Sequence, residues 1–114
     1  MLKLYFSPGA CSMASRLTLE ESGAKYEEQL TSIAKGEQKS EAYLKINPRG
    51  KVPALRLDDG SVVVENTAIL TYIAHRFPEA GLLPKDPAAE ARSISMMAWL
   101  SNTVHPAFTH IFRP

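Results

Sequence analysis

Cysteine is nearly absent from this sequence: a single cysteine, Cys11, occurs among its 114 residues. One cysteine excludes a disulfide within the chain, and it also excludes a dithiol cycle between two cysteines of the chain. The sequence also lacks a strong excess of either positive or negative charge, since it has 13 basic and 12 acidic residues and a net charge of +1. That balance gives no electrostatic reason to predict nucleic acid or an anionic membrane as a partner.

Long apolar runs are also missing, so the sequence predicts neither a membrane-spanning helix nor a secretory signal. Histidine, cysteine and acidic residues show no metal-ligand spacing, and there is no glycine-rich phosphate loop, so we expect no metal cofactor. The 45% apolar content is ordinary for a globular domain. Together these features favour a globular protein of the reducing cytoplasm.

The first part of the chain alternates between strand-like and helical patterns. Residues 2–6 alternate apolar and polar side chains, as a half-buried strand does. After a Pro-Gly break the period becomes helical, and Met13, Ala14 and Leu17 share one face of the predicted helix. Residues 26–33 are a weaker strand candidate. The patterns predict a β-α-β unit whose two strands are parallel.

A short helix and a hairpin are predicted next. The polar segment 34–46 has Tyr43, Leu44 and Ile46 as its apolar content and is interpreted as a loop and a short helix. The Asn-Pro-Arg-Gly sequence at 47–50 is a strong turn signal. Two β-rich runs, 51–57 and 61–65, then flank an Asp-Asp-Gly sequence. Asp-Gly between such runs predicts a hairpin, because the tight turn needs positive φ and these residues tolerate it.

Two longer helices complete the pattern. The first opens with Asn66 or Thr67 as its predicted N-cap. After a proline-rich stretch, Asp86 and Pro87 suit the N-cap and the first position of a long helix that runs toward His105.

The order β-α-β-α-β-β-α predicts an α/β fold, a small mixed sheet with helices on both faces. We expect this domain at residues 1–78, a linker at 79–86 and the beginning of a helical domain at 87–114. The last helix carries more apolar residues than the few residues after it can cover. The second domain is therefore expected to be incomplete within these 114 residues.

Val52 and Pro53 allow two interpretations. Proline has no backbone N–H, so it rarely lies inside a paired strand. Pro53 could be the first residue of an edge strand, or the Val52–Pro53 bond could be cis. The cis form would direct the backbone groups of Val52 outward at a sheet edge, where an extended ligand could pair with them.

Glu65 and Asn66 also allow two interpretations. The first turn of a helix offers backbone N–H groups and the positive end of the helix dipole, which suit a carboxylate. Glu65 beside that turn could bind an ammonium group, so the two together could hold an amino-acid zwitterion. The alternative is an ordinary capping arrangement on a solvated helix end.

Cys11 lies between a predicted strand and the first turn of the predicted helix. A thiol at a helix start has a lowered pKa, because the dipole and the backbone N–H groups stabilise the thiolate. The alternative is a buried structural thiol, which is the usual fate of a free cysteine.

Three segments in this order, "LKLYFSPGACS", "INPRGKVPAL" and "LDDGSVVVENTAILTYIAHRF", resemble the N-terminal domain of cytosolic glutathione S-transferases. The cysteine after "SPGA" resembles the bacterial beta-class branch. The resemblance covers about residues 1–78, and the tail "AWLSNTVHPAFTHIF" is similar to the first long helix of the family's helical domain.

The resemblance implies a thioredoxin-like domain joined to an all-helical domain, with glutathione as co-substrate. It favours the cis form of the bond between Val52 and Pro53. It also implies that the cysteinyl part of glutathione pairs with the backbone at Val52. The γ-glutamyl end would lie at Glu65 and Asn66, although asparagine departs from the serine that is frequent at the second position.

The resemblance implies further contacts around the two ends of glutathione. Lys35 and Lys51 match positions that often contact its glycyl end, where a lysine suits the carboxylate as a point charge. Cys11 and His105 match residues that approach its sulfur in beta-class members. Ser12, with Cys11 and the local backbone N–H groups, is a candidate donor to the thiolate.

The implied function is that of a glutathione S-transferase, which activates the thiol of glutathione and transfers it to an electrophilic small molecule. The resemblance further implies a cytoplasmic homodimer with a role in detoxification. Two alternatives stay open. One is a glutathione-dependent thiol transferase that uses Cys11 as its nucleophile, and the other is a non-catalytic glutathione-binding or interaction module.

Overall fold

A computed structural model describes residues 1–7 and 12–100 of the chain. Within these residues it contains four strands and four α-helices in the order predicted from the sequence, which confirms the α/β fold class. The elements are β1 (Leu2–Phe6), α1 (Ser12–Ser22), β2 (Tyr26–Leu30), α2 (Glu41–Ile46), β3 (Ala54–Arg56), β4 (Val62–Val64), α3 (Asn66–Arg76) and α4 (Pro87–Trp99). Two short 3-10 turns lie at Glu37–Lys39 and Pro78–Ala80.

The four strands form one mixed sheet in the order β2-β1-β3-β4. Strand β1 pairs in parallel with β2, with α1 as the crossover between them, and antiparallel with β3. Strands β3 and β4 form the hairpin predicted from the Asp-Asp-Gly sequence. Its loop is closed by the N–H of Leu57, which donates to the carbonyl of Ser61 at 2.8 Å, and Gly60 supplies the positive φ of 88°.

Alternation along β1 divides the core between the two faces of the sheet. Leu2 and Leu4 point to one face, where they pack under helices α1 and α3 in a hydrophobic core cluster. The other buried members of this cluster are Leu19, Leu55, Ile69 and Ile73. Tyr5 points to the opposite face and packs with Tyr43 of α2. Helices therefore cover both faces, as the element order predicted.

The apolar residues that share a face of α1 are not the ones that α1 buries. Met13 and Leu17 are 52% and 60% exposed, whereas Ser12, Ser15 and Leu19 are fully buried. The buried residues follow helical spacing, but two of them are serines, and both serine hydroxyls make hydrogen bonds. Because small hydrogen-bonded side chains can be buried at little cost, the apolar pattern alone did not identify the buried face.

Helix α3 begins one residue earlier than predicted. The prediction of Asn66 or Thr67 as N-cap was wrong, since Glu65 is the N-cap residue. Its carbonyl accepts the first helical hydrogen bond from the N–H of Ile69 at 3.0 Å, and its side chain makes no capping bond. The helix start is therefore fixed by the backbone of Glu65 and not by a side-chain cap.

Helix α4 begins as predicted. The carboxylate of Asp86 accepts a hydrogen bond from the N–H of Ala89 at 3.0 Å, and Pro87 occupies the first turn. The helix lies beside α3, with a contact between His75 and Glu90 joining the two. Within the part of the chain that the structure describes, no helix is long and apolar enough to cross a membrane.

Two leucines of α1 test which face of this helix supports the fold. Leu19→Ala should lower the free energy of unfolding by about 2–5 kcal/mol, because it empties a fully buried position. Leu17→Ala, two residues away and exposed, should change it by less than about 0.5 kcal/mol. Urea unfolding followed by circular dichroism measures both. Equal losses would show that the buried face of α1 is not the one described.

Candidate functional site

Strand register brings three separate chain segments to the same end of the sheet. Ala54 lies opposite Tyr5 on one side and opposite Val64 on the other. The residues that follow Tyr5, precede Ala54 and follow Val64 therefore lie next to one another. Phe6 follows Tyr5 and leads directly into Ser7, Pro53 precedes Ala54, and Glu65 follows Val64, so the fold brings together the pieces that sequence analysis had singled out separately.

The bond between Val52 and Pro53 is cis, so the structure resolves the choice that the residues alone left open. Both residues are buried. The preceding carbonyl, that of Lys51, accepts hydrogen bonds from the hydroxyl of Tyr43 at 2.5 Å and from Nδ2 of Asn47 at 2.9 Å. Two buried side chains thus hold the backbone immediately before the cis bond.

Tyr43 is suited to this supporting role. Burial raises the pKa of its hydroxyl to about 12, so the group stays a neutral donor throughout the physiological range. Its ring also packs edge-on against that of Tyr5, with 5.9 Å between centroids. Sequence analysis identified Tyr43 only as apolar content of a short helix, because its bond to Lys51 depends on tertiary packing.

The turn at residues 47–50 is held from inside. The side-chain oxygen of Asn47, a buried residue, accepts a hydrogen bond from the N–H of Arg49 at 3.1 Å. The N–H of Gly50 donates to the carbonyl of Asn47 at 2.9 Å. Gly50 has a φ of 64°, and a Cβ there would lie 3.2 Å from the carbonyl oxygen of Gln38, so the turn needs glycine. The turn is therefore a rigid support for the cis bond that follows.

Glu65 has an unusual backbone and a paired side chain. Its φ of 76° with ψ of 129° lies where residues other than glycine are rare, at a cost of about 1–3 kcal/mol. Its carboxylate is 56% exposed, and Oε1 lies 3.0 Å from Nη1 of Arg49. A strained backbone that presents an accessible carboxylate at a helix start is typical of a binding site.

Asn66 is connected to the first helix of the chain. The hydroxyl of Ser15, a fully buried residue of α1, donates to Oδ1 of Asn66 at 2.7 Å. This bond fixes the first turn of α3 against α1. Sequence analysis did not select Ser15, and the available signal was that it shares a helical face with Ser12 and Leu19.

Ser12 is buried and bonded to the end of β1. Its Oγ accepts a hydrogen bond from the N–H of Ser7 at 3.0 Å and donates one to the carbonyl of Ser7 at 3.1 Å. The hydroxyl hydrogen of Ser12 is therefore directed to the protein backbone in this arrangement. Cys11 and His105, the other two candidates near the sulfur of glutathione, lie outside the described residues.

The two lysines expected at the glycyl end of glutathione are both exposed. Lys51 immediately precedes Val52, and its carbonyl is the one held by two side chains. Lys35 lies in the loop after β2, where its N–H donates to Oγ of Ser32 at 3.3 Å. Among the described residues, no group of three or more histidine, cysteine or acidic side chains could hold a metal ion.

The sequence profile described as "Glutathione S-transferase, N-terminal domain" matches residues 9–76, which is more than half of the chain. The chain belongs to the glutathione S-transferase family. The resemblance seen in the sequence is thereby confirmed, and the mixed sheet with its following helix is the thioredoxin-like N-terminal fold of that family.

Several relatives are similar to this chain over nearly its whole length. GstA of Escherichia coli, a glutathione S-transferase, is 37% identical over 115 residues, which cover 99% of this chain and 57% of GstA. A glutathione transferase homologue from Sulfitobacter, solved with bound glutathione, has a TM-score of 0.94 at 44% identity. The match covers 99% of this chain and 54% of the Sulfitobacter chain.

Beta-class and etherase relatives are also similar. A bacterial beta-class glutathione S-transferase from Sphingomonas chungbukensis has a TM-score of 0.88 at 42% identity, with 98% of this chain and 57% of that chain covered. LigF of Sphingobium, solved as a beta-etherase, is 45% identical over a match that covers 87% of this chain and 39% of LigF. The chain spans about half the length of the curated relatives it matches.

The strain at position 65 can be measured with two variants that both lose the carboxylate. Glu65→Gly should be more stable than Glu65→Ala by about 1 kcal/mol, because glycine adopts the positive φ without a clash. Urea unfolding of the two variants gives the difference. The same two substitutions at Glu27, an exposed residue of β2, provide the control. There the alanine variant should be more stable than the glycine variant, since glycine weakens a strand. Equal stability of the two variants at position 65 would contradict the strain.

Proposed function

We propose that this chain binds glutathione at the end of the sheet where Ser7, Pro53 and Glu65 meet, and that it is part of a glutathione transferase. The observation that carries the proposal is the convergence of the cis bond, the acidic residue and the start of α3 on one sheet end. Those features complement the backbone, the ammonium group and the carboxylate of a γ-glutamyl tripeptide. The glutathione bound in the similar Sulfitobacter structure supports the same ligand.

Each part of glutathione has a proposed partner in the chain. The peptide groups of its cysteinyl part would pair with the backbone at Val52, in the manner of an added strand. The ammonium group of the γ-glutamyl end would lie on Glu65, and its carboxylate at Asn66 and the first turn of α3. Lys35 and Lys51 would face the glycyl carboxylate as point charges.

The proposed reaction begins with ionisation of the glutathione thiol. The thiol gives up its proton to solvent, the sulfur electron pair forms a bond to the electrophilic carbon, and the leaving group departs with its bonding pair. Each pKa unit by which the site lowers the pKa of the thiol represents about 1.4 kcal/mol. Alignment of the two reactants contributes more, up to about 7–11 kcal/mol.

Three residues have proposed roles near the sulfur. Cys11 and backbone N–H groups at the start of α1 are the proposed donors to the thiolate, with His105 approaching from the last helix. Because the Ser12 hydroxyl donates to Ser7, we propose that Ser12 contributes chiefly by joining the two ends of segment 8–11. The pocket for the electrophile is proposed to lie between the two domains, and the cytoplasmic homodimer remains a prediction.

Thiol transfer through Cys11 is the second candidate function. The bonds between Ser7 and Ser12 hold both ends of the segment that contains Cys11 at the proposed glutathione site. A cysteine there could exchange with the disulfide of a glutathionylated substrate. A glutathione-binding module without catalysis is the third possibility, and binding and activity measurements distinguish the three.

Glutathione binding by the 114-residue chain is the first test. Calorimetric titration at neutral pH under reducing conditions should show saturable binding, and Glu65→Gln should weaken it about tenfold through loss of a charged partner of the ammonium group. Glu27→Gln is the matched control, since Glu27 lies on β2 at the opposite edge of the sheet, and it should bind like the unmodified chain. A folded chain that does not bind glutathione would refute the proposal.

Cys11→Ser separates the two catalytic candidates. Conjugation of glutathione to an activated aryl chloride should survive within about tenfold, or about 1.4 kcal/mol, because serine keeps a hydroxyl donor to the thiolate. Reduction of a small-molecule disulfide should be lost if Cys11 is the nucleophile, since serine cannot form the mixed disulfide. Loss of conjugation together with retained disulfide reduction would contradict both roles.

A further inference from the structure

We propose that Arg49 is a positioning residue that holds the carboxylate of Glu65 ready for the ammonium group of the ligand. The inference deepens the proposed function and rests on it. It adds to the site a residue that sequence analysis treated only as part of a turn. The selectivity it predicts is for a ligand with a free α-amino group.

The contact itself joins two segments that are distant in sequence. Nη1 of Arg49 lies 3.0 Å from Oε1 of Glu65, sixteen residues further along the chain. The pair connects the turn before the cis bond to the N-cap of α3. It therefore spans the sheet end at which the γ-glutamyl group is proposed to bind.

Both backbones are held by contacts other than the ion pair itself. The N–H of Arg49 is held by the buried Asn47, and the next residue, Gly50, is held by the carbonyl of the same asparagine. Glu65 is held as the N-cap of α3, where its carbonyl accepts the helical bond from the N–H of Ile69. An exposed ion pair between flexible segments contributes little to stability, but between two fixed segments it limits the carboxylate to few rotamers.

The carboxylate can serve both cations. One oxygen of Glu65 faces Arg49, and a carboxylate has a second oxygen and further lone pairs with which to accept an ammonium group. Without Arg49, the ligand itself would have to order the exposed Glu65 side chain, which costs rotamer entropy. Arg49 also repels the ammonium group, but both side chains are more than half exposed, so water screens the repulsion.

The test compares glutathione with glutaryl-cysteinyl-glycine, which is glutathione with hydrogen in place of its α-amino group. Arg49→Gln should weaken glutathione binding about fivefold, within the range of an exposed charge pair, and should leave binding of the analogue unchanged. Arg49→Lys should recover part of the loss, because lysine keeps the charge without the planar fork. Arg56→Gln, which removes an exposed arginine at the other end of β3, should change neither affinity.

A second arm asks whether Arg49 acts through Glu65. In a Glu65→Ala background, Arg49→Gln should cause no further loss of glutathione affinity. An equal loss for glutathione and its analogue would overturn the inference, because Arg49 would then contact another part of the ligand or support the turn. Unchanged glutathione affinity in Arg49→Gln would overturn it as well, while the proposed function would stand. Failure of the unmodified chain to bind glutathione would instead refute the proposed function.

Discussion

The pairing of β3 with both β1 and β4 is the constraint on which the candidate site depends. Ala54 is fully buried between Tyr5 and Val64, and its register decides which residues emerge at that end of the sheet. A shift of one residue would turn the apolar side chains of β3 to the wrong faces. The same shift would also separate the cis bond from Glu65, so core packing and site geometry are fixed by one alignment.

Buried polar bonds, in addition to apolar contacts, join the elements around the site. Ser12 connects α1 to the end of β1, Ser15 connects α1 to α3, and Tyr43 connects α2 to the backbone before the cis bond. Each uses a hydroxyl that burial would penalise if it were unpaired. Directional bonds of this kind fix rotation and spacing, which interchangeable apolar contacts do not fix as closely.

Sequence reasoning succeeded where a local rule decides the structure. Alternation in β1, the Asp-Gly hairpin and the Asp86–Pro87 helix start all follow from near neighbours. It failed at the N-cap of α3, because glutamate has no intrinsic preference for positive φ and tertiary contacts impose that conformation. The contact of Arg49 with Glu65 was missed for a related reason: the two residues meet only once the sheet has its register, and neither is unusual for its own segment.

The separation in sequence between β1 and β3 has a consequence for folding. Their pairing joins residues about fifty positions apart, whereas β1 with β2 and β3 with β4 close much shorter loops. Loop-closure entropy makes such a distant pairing late and slow compared with the local β-α-β and hairpin units. The candidate site belongs to neither unit alone, so a partly folded chain can have most of its secondary structure and still lack the site. Ligand affinity would therefore report completion of the fold more faithfully than helix content does.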